Sequence, residues 1–264
     1  MGLFDKKLCA ICGKKKGLFG YKLADGNYLC VDCADKYAHN ALFDGAKYHK
    51  KYTPSDMTLT QYQDFVALRE NNKFELEEFS PSKTFLGFIH IDEDAQEMVI
   101  CEGSVFNNPK KLMESNPPVF EFENLAFVRV VFSAPEESTT LTGKAKVESQ
   151  IRIILGFVDP LYDIVCINAG KMVTKDSMFG IKTTVNPEIK ELMHTIDDMI
   201  SWEISWSADN DVMTPAADMD AYWKLAKRAK DLGYLTGDDI RECLRNYYGK
   251  DRARIREVKK TYGL

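Results

Sequence analysis

The chain has 264 residues, 45% hydrophobic and 28% charged, with a formal net charge of −5. That balance excludes global disorder, and 16 Gly with 9 Pro exclude a collagen-like repeat. No run of about 18 apolar residues offers a membrane span, and residues 1–16 lack the apolar stretch of an export signal, so the expected location is the cytoplasm.

Seven cysteines, an odd number without an export signal, argue against a disulfide framework. Four of them form two pairs, Cys9-Ala10-Ile11-Cys12 and Cys30-Val31-Asp32-Cys33, with 17 residues between the pairs. Zinc prefers four thiolates in a tetrahedron, and two short knuckles supply two ligands each. Iron competes for the same ligand set. Gly13 follows the first pair, where a knuckle needs unusual dihedrals. Residues 18–24 read as a strand, Asp25-Gly26 as a tight turn and 27–29 as the returning strand. The second pair opens a helix over 34–43. Knuckle, hairpin and helix in that order predict a treble clef. Lys7, Lys14, Lys15 and Lys16 stand ready to offset the −2 charge of a zinc tetrathiolate.

The stretch MGLFDKKLCAICGKKKGLFGYKLADGNYLCVDCADK resembles a short bacterial four-cysteine domain of unknown function that opens multi-domain proteins. The resemblance covers residues 1–45 and implies metal binding by Cys9, Cys12, Cys30 and Cys33, with no assigned activity. Cys101, Cys166 and Cys243 lie in apolar surroundings and read as buried thiols, and His39, His49, His90 and His194 form no ligand pattern.

Residues 44–57 read as a linker, and 46–83 as linker plus helix. Thr58 and Gln61 make a capping box for a helix over 59–72, with Leu59, Tyr62, Phe65 and Val66 on its apolar side. Strands follow over 84–91 and 97–102, joined by Asp92-Glu93-Asp94, and over 120–132 as one long or two short strands. Residues 133–144 read as a loop, 147–158 and 161–168 as strands, and 171–185 as one more. Pro187 to Ile204 turns helical, with Ile189, Leu192, Met193 and Ile196 at the 3.6-residue period.

Antiparallel strands closed by one amphipathic helix predict a half-open barrel over 84–205, the arrangement of pleckstrin-homology-like domains, with a β-sandwich as the alternative. This segment also resembles the one that follows the four-cysteine module in related bacterial proteins. The matching features are the helix, the Phe-Leu-Gly strand and the Asp-Glu-Asp turn.

Residues 206–218 read as a second linker; Asp209-Asn210-Asp211 lacks the Gly and distal Glu of an EF-hand. The tail, 219–264, reads as three helical segments: about 219–232 stopped by Gly233, a second capped by Thr236 and Asp239 and stopped by Gly249, and a third over 251–262. Residues 225–244 resemble the short C-terminal domain called SHOCT through Gly233, Leu235, Thr236, Asp238 and Asp239. They depart from it where RECLRNYYGK replaces a lysine-rich second helix. That resemblance implies a helical hairpin used in protein association.

The fold class expected is therefore α+β and multi-domain. Charge is uneven: residues 1–51 hold 10 Lys or Arg against 5 Asp or Glu, residues 52–219 hold 13 against 28, and residues 220–264 hold 12 against 7. The basic ends permit nucleic-acid binding, or they dock on the acidic middle or are solvated. The last helix has too thin an apolar face for stable membrane binding. Gly143-Lys144 lacks a phosphate-loop context, and no hydrolase or dinucleotide motif occurs. The expected function is non-catalytic: a bacterial zinc-binding modular protein acting by protein binding or scaffolding, with nucleic-acid binding through the basic ends as the alternative.

Overall fold

The computed structural model describes residues 8–15, 20–38, 45–139, 145–177, 180–207 and 219–264. Lys7, Lys16, His39, Gly143-Lys144 and most of the expected linker at 206–218 lie outside them. The architecture is mixed α+β, with three antiparallel sheets among the described residues.

The smallest sheet is the hairpin β1 (Gly20–Lys22) and β2 (Tyr28–Cys30), followed directly by helix α1 (Val31–Ala38). Strand β3 (Ala46–Lys50) comes next. Its position corrects the expectation of a linker over 44–57. The segment pairs with a strand more than 100 residues away, and its alternation of buried Ala46 and Tyr48 with exposed Lys47 is masked by its lysines. Helix α2 (Leu59–Glu78) starts at the expected capping box: the Thr58 hydroxyl accepts the Gln61 N–H, and Gln61 accepts the Thr58 N–H at 2.9 Å. It runs past residue 72 because its buried line continues at seven-residue steps through Tyr62, Arg69 and Leu76.

A four-stranded sheet follows, in the order β4 (Lys83–Phe85), β5 (Ile89–Asp92), β6 (Glu97–Ile100), β7 (Val119–Glu121). The single strand expected over 84–91 is two strands. Leu86 and Gly87 both have positive φ, and the Phe88 N–H closes on the Phe85 carbonyl, which makes a tight hairpin turn inside an apolar run. Two short helices absent from the sequence reading, α3 (Gly103–Phe106) and α4 (Pro109–Ser115), connect β6 to β7.

The largest sheet is built on the long hairpin of β10 (Ala145–Phe157) and β11 (Tyr162–Ser177). Strand β8 (Leu125–Phe132) flanks β10, and β12 (Gly180–Thr184) flanks the far half of β11. Strand β9 (Glu136–Thr139) also pairs with β10, which corrects the expectation of an unbroken loop over 133–144. Helix α5 (Pro187–Ser207) ends this part of the chain.

Two apolar clusters divide the large sheet by face. On the inner face Ile151, Ile153, Leu155, Val165 and Ile167 share one cluster with Ile89, Ile91 and Met98 of the four-stranded sheet and Ile189, Leu192 and Ile196 of α5. The same cluster contains Leu23, Leu29, Tyr48, Met57 and Tyr62, so the N-terminal module is continuous with the central core. On the outer face Phe127, Val131, Ile154, Ile164 and Cys166 pack against the tail helices α6 (Met219–Asp231), α7 (Gly237–Tyr248) and α8 (Arg252–Tyr262). The approach is tight at Gly156, where an added Cβ would lie 2.9 Å from Phe127 Cβ and 3.1 Å from Leu225 Cβ. Arg228 bonds Asp163 at 2.8 Å across this interface. The basic tail therefore docks on the sheet through an apolar face as well as ion pairs.

Candidate metal centre

The first knuckle is a tight loop closed by a bridge between Leu8 and Lys15. The Cys9 N–H donates to the Lys14 carbonyl and the Gly13 N–H to the Cys9 carbonyl, both at 2.9 Å. Gly13 has φ +67°, with nothing within 4 Å of where a Cβ would stand. It is needed for its left-handed backbone and not for space. The Ala10 N–H donates to the Tyr28 carbonyl at 2.8 Å and ties the knuckle to β2. Cys30 ends β2, and Cys33 sits in the first turn of α1.

These elements bring the four sulfurs within 4.8 Å of one another. Cys12 and Cys30 Sγ are 3.6 Å apart, and all four cysteines are free thiols. A disulfide would require about 2.05 Å. A tetrahedron of thiolates about 2.3 Å from zinc has edges near 3.8 Å, so the observed separation suits a metal tetrathiolate. Cys9, Cys30 and Cys33 are buried and Cys12 is exposed.

The electrostatics describe a cluster short of positive charge. Burial opposes ionisation of Cys9, but hydrogen bonds from the backbone of Cys12, Cys30 and Ile11 outweigh it and set its pKa at about 6. Cys33 is pushed the other way by burial and by its hydrogen-bonded neighbours Cys30, Cys12 and Cys9. Cys9 is thus favoured as thiolate and Cys33 as thiol. Lys14 supplies part of the compensation. Its ammonium bonds Asp32 at 3.5 Å, and that carboxylate together with the Cys12 and Cys30 sulfurs raises its pKa.

The site is held from beneath by α2. Asp25, at the tip of the β1–β2 hairpin, accepts the Leu59 N–H at 2.7 Å and so caps the start of α2. The Ala24 N–H donates to the Met57 carbonyl at 2.8 Å. The Tyr62 hydroxyl, fully buried, donates to the carbonyl of Cys33. Sequence reading placed Asp25 in a turn and Tyr62 on an apolar face, but it missed their support of the site, because each partner lies about 30 residues away.

The four cysteines expected from sequence are thus brought together. The described histidines are not among them: His49 faces Tyr234, His90 lies between Thr84 and the Cys101 carbonyl against Phe106, and His194 is exposed on α5. Among the described residues the four cysteines are the group of three or more His, Cys, Asp or Glu that converges on one point. No helix of the described residues is long and apolar enough to cross a membrane.

Residues 7–58 match a family model described as a domain of unknown function (DUF4428). The match contains both cysteine pairs and continues through β3 to Thr58, the N-cap of α2. It therefore supports the four-cysteine resemblance and extends it beyond residue 45. Comparison with curated proteins and with solved structures gave no match.

Proposed function

We propose that this chain is a structural-zinc protein that works by binding another protein, without catalysis. The convergence of four free cysteine sulfurs within 4.8 Å carries the reading. Cys9, Cys12, Cys30 and Cys33 would hold the ion, and bound zinc supplies four covalent ties between the knuckle and the β2–α1 junction. Four thiolates leave no open coordination position, which separates this site from catalytic zinc. Knuckle, hairpin and a helix bearing the second pair support the treble-clef reading. Two sheets and α5 around one core support the pleckstrin-homology-like reading of the middle, and the Thr236–Asp239 capping box supports the SHOCT-like reading of the tail.

Protein binding is favoured by the surface around the centre. Ile11 and Val31, one inside each knuckle, are 39% and 36% exposed, and Leu8 and Tyr21 beside them are 55% and 38% exposed. A contiguous exposed apolar patch marks an interaction site, and these four side chains are the ones on this module that would compose it. The alternative, nucleic-acid binding by the two basic ends acting together, is less favoured. The N-terminal module belongs to the inner-face cluster and the tail to the outer-face cluster of the large sheet.

Exchange of Cys9 and Cys12 for Ser tests the site. The variant should lose one equivalent of zinc and the amide-exchange protection of residues 20–34, while β10 and β11 stay protected. Retention of zinc and of that protection would contradict the assignment. Ile11→Asp with Val31→Asp should keep the zinc and lose whatever protein the wild-type chain captures; equal capture would refute the binding surface.

A further inference from the structure

A sheet edge presents a row of unpaired backbone N–H and C=O groups, and proteins guard such edges with brevity, charge, proline or bulges. In the two smaller sheets the edge strands are three residues long. In the large sheet β3 carries Lys47 and Lys50, β12 carries Lys182, and β9 carries Glu136 and Glu137. Among the described strands β8 is the exception. A bulge at Ala126 breaks its ladder at one end, and Pro135 stands beyond the other. Between them Phe127 to Phe132 pair without a break with Gly156 back to Ile151. The one charge in that stretch, Arg129, is turned to Glu242 of α7.

Among the described residues β10 is the strand that β8 pairs with, so the other edge of β8 has no ladder. The phase of the β10 ladder fixes which groups are unpaired. The Ser133 N–H donates to the Gln150 carbonyl at 2.9 Å, and Phe132 stands opposite Ile151. Alternation along an antiparallel strand then turns the N–H and C=O of Phe127, Arg129 and Val131 to β10, and those of Val128, Val130 and Phe132 outward. Val128 and Val130 are half-buried against the inner-face cluster, and Phe132, next on that face, is 54% exposed.

We infer that β8 pairs with β8 of a second copy of this chain, antiparallel about a two-fold axis at Val130. The strand is self-complementary in this register. Val130 meets the partner's Val130, and Val128 meets the partner's Phe132, a β-branched residue against an aromatic one. Arg129 falls opposite the partner's Val131, so no like charges stand face to face. The outward groups of Val128, Val130 and Phe132 make about six hydrogen bonds between the chains, and the two large sheets become one. A two-fold contact of this kind is closed and stops at the dimer. An extended segment of another protein would use the same backbone groups; the match of side chains and charge favours β8 itself. The inference is independent of the metal centre and of the apolar surface around it.

The test is the mass of the full-length chain as purified, by sedimentation equilibrium and light scattering from about 1 to about 300 µM, because a contact this small should dissociate in the micromolar range. The mass should double across that range, and exchange of the Val128, Val130 and Phe132 amides should slow as the dimer fills. Phe132→Lys alters an exposed residue and puts a charge at the contact. It should keep the melting temperature and weaken the dimer at least roughly tenfold. Val130→Pro removes an outward N–H and leaves the bonds to β10 whole, so it should fold and stay monomeric. A wild-type chain that is monomeric at the highest concentration would overturn the inference. So would a dimer that either variant leaves at full affinity, or one that leaves those three amides unprotected.

Discussion

Cys101 and Cys166, outside the four-cysteine cluster, show what burial does to a thiol. Burial, aided by the Glu102 carboxylate, pushes Cys101 up to about 12, and burial pushes Cys166 up to about 11 although Arg152 and Lys47 pull it back. Since the thiolate is the reactive species, both are inert near neutral pH. Alkylation at pH 8 followed by mass spectrometry should therefore label Cys9, Cys12, Cys30 and Cys33 once a chelator has removed the metal. Cys101, Cys166 and Cys243 should be labelled only after denaturation. Gly156 marks the opposite kind of residue, one whose missing side chain matters. Its Cβ would press on Phe127 and Leu225, so Gly156→Ala must lift α6 from the sheet or shift β8. Overpacking of this kind costs about 1–3 kcal/mol, seen as a lower urea midpoint with an unchanged slope.

At the scale of elements, β3 joins three parts of the molecule. Tyr48 on its inner face stacks on Phe120 and donates to the Ile100 carbonyl, while His49 on the other face bonds the Tyr234 hydroxyl at 2.6 Å. Burial holds His49 below its ordinary value of 6.5; Lys47 and Arg228 lower it further and Asp163 opposes them. The unfolded chain therefore takes up a proton before the folded one does. This contribution is full above pH 6.5, falls as the pH drops through the folded pKa, and is constant below that. Protection of the α6 and α7 amides, taken relative to their intrinsic exchange rate at each pH, should fall between pH 7 and pH 5, and His49→Phe should flatten that dependence. His90 is also held low by burial, but it lies in the four-stranded sheet, so the local readout separates the two.

Legibility from sequence followed the range of the determining contact. The cysteine pairs, the Asp25-Gly26 turn and the caps at Thr58 and Thr236 depend on neighbours a few residues away, and each was readable. The tail's caps were readable too, but its seat on the sheet was not, because Phe127 and Ile154 meet Leu225 and Ala226 only in the folded chain. The apolar run Ile151 to Phe157 carried the one hint, since a strand buried on both faces loses its alternation. Strand β3 was hidden by its lysines and by a partner over 100 residues distant, and the β4–β5 turn by the apolar residues around Leu86. The support of the cysteine cluster by Tyr62 and Asp25 was invisible for the same reason.

For the whole molecule, the inner-face cluster from Leu23 to Ile196 makes the N-terminal module part of the central core, and not a bead on a linker. In the proposed reading, zinc, worth about 10–16 kcal/mol in small peptides, adds to this shared core in holding the module folded. The direct test is the metal content of the purified full-length chain, by mass spectrometry under native conditions, with X-ray absorption to count the ligands. One zinc per chain, bound by four sulfurs at about 2.3 Å, is the result this account predicts. A chain that is folded over residues 20–34 without metal, or that carries iron with a visible chromophore, would contradict it.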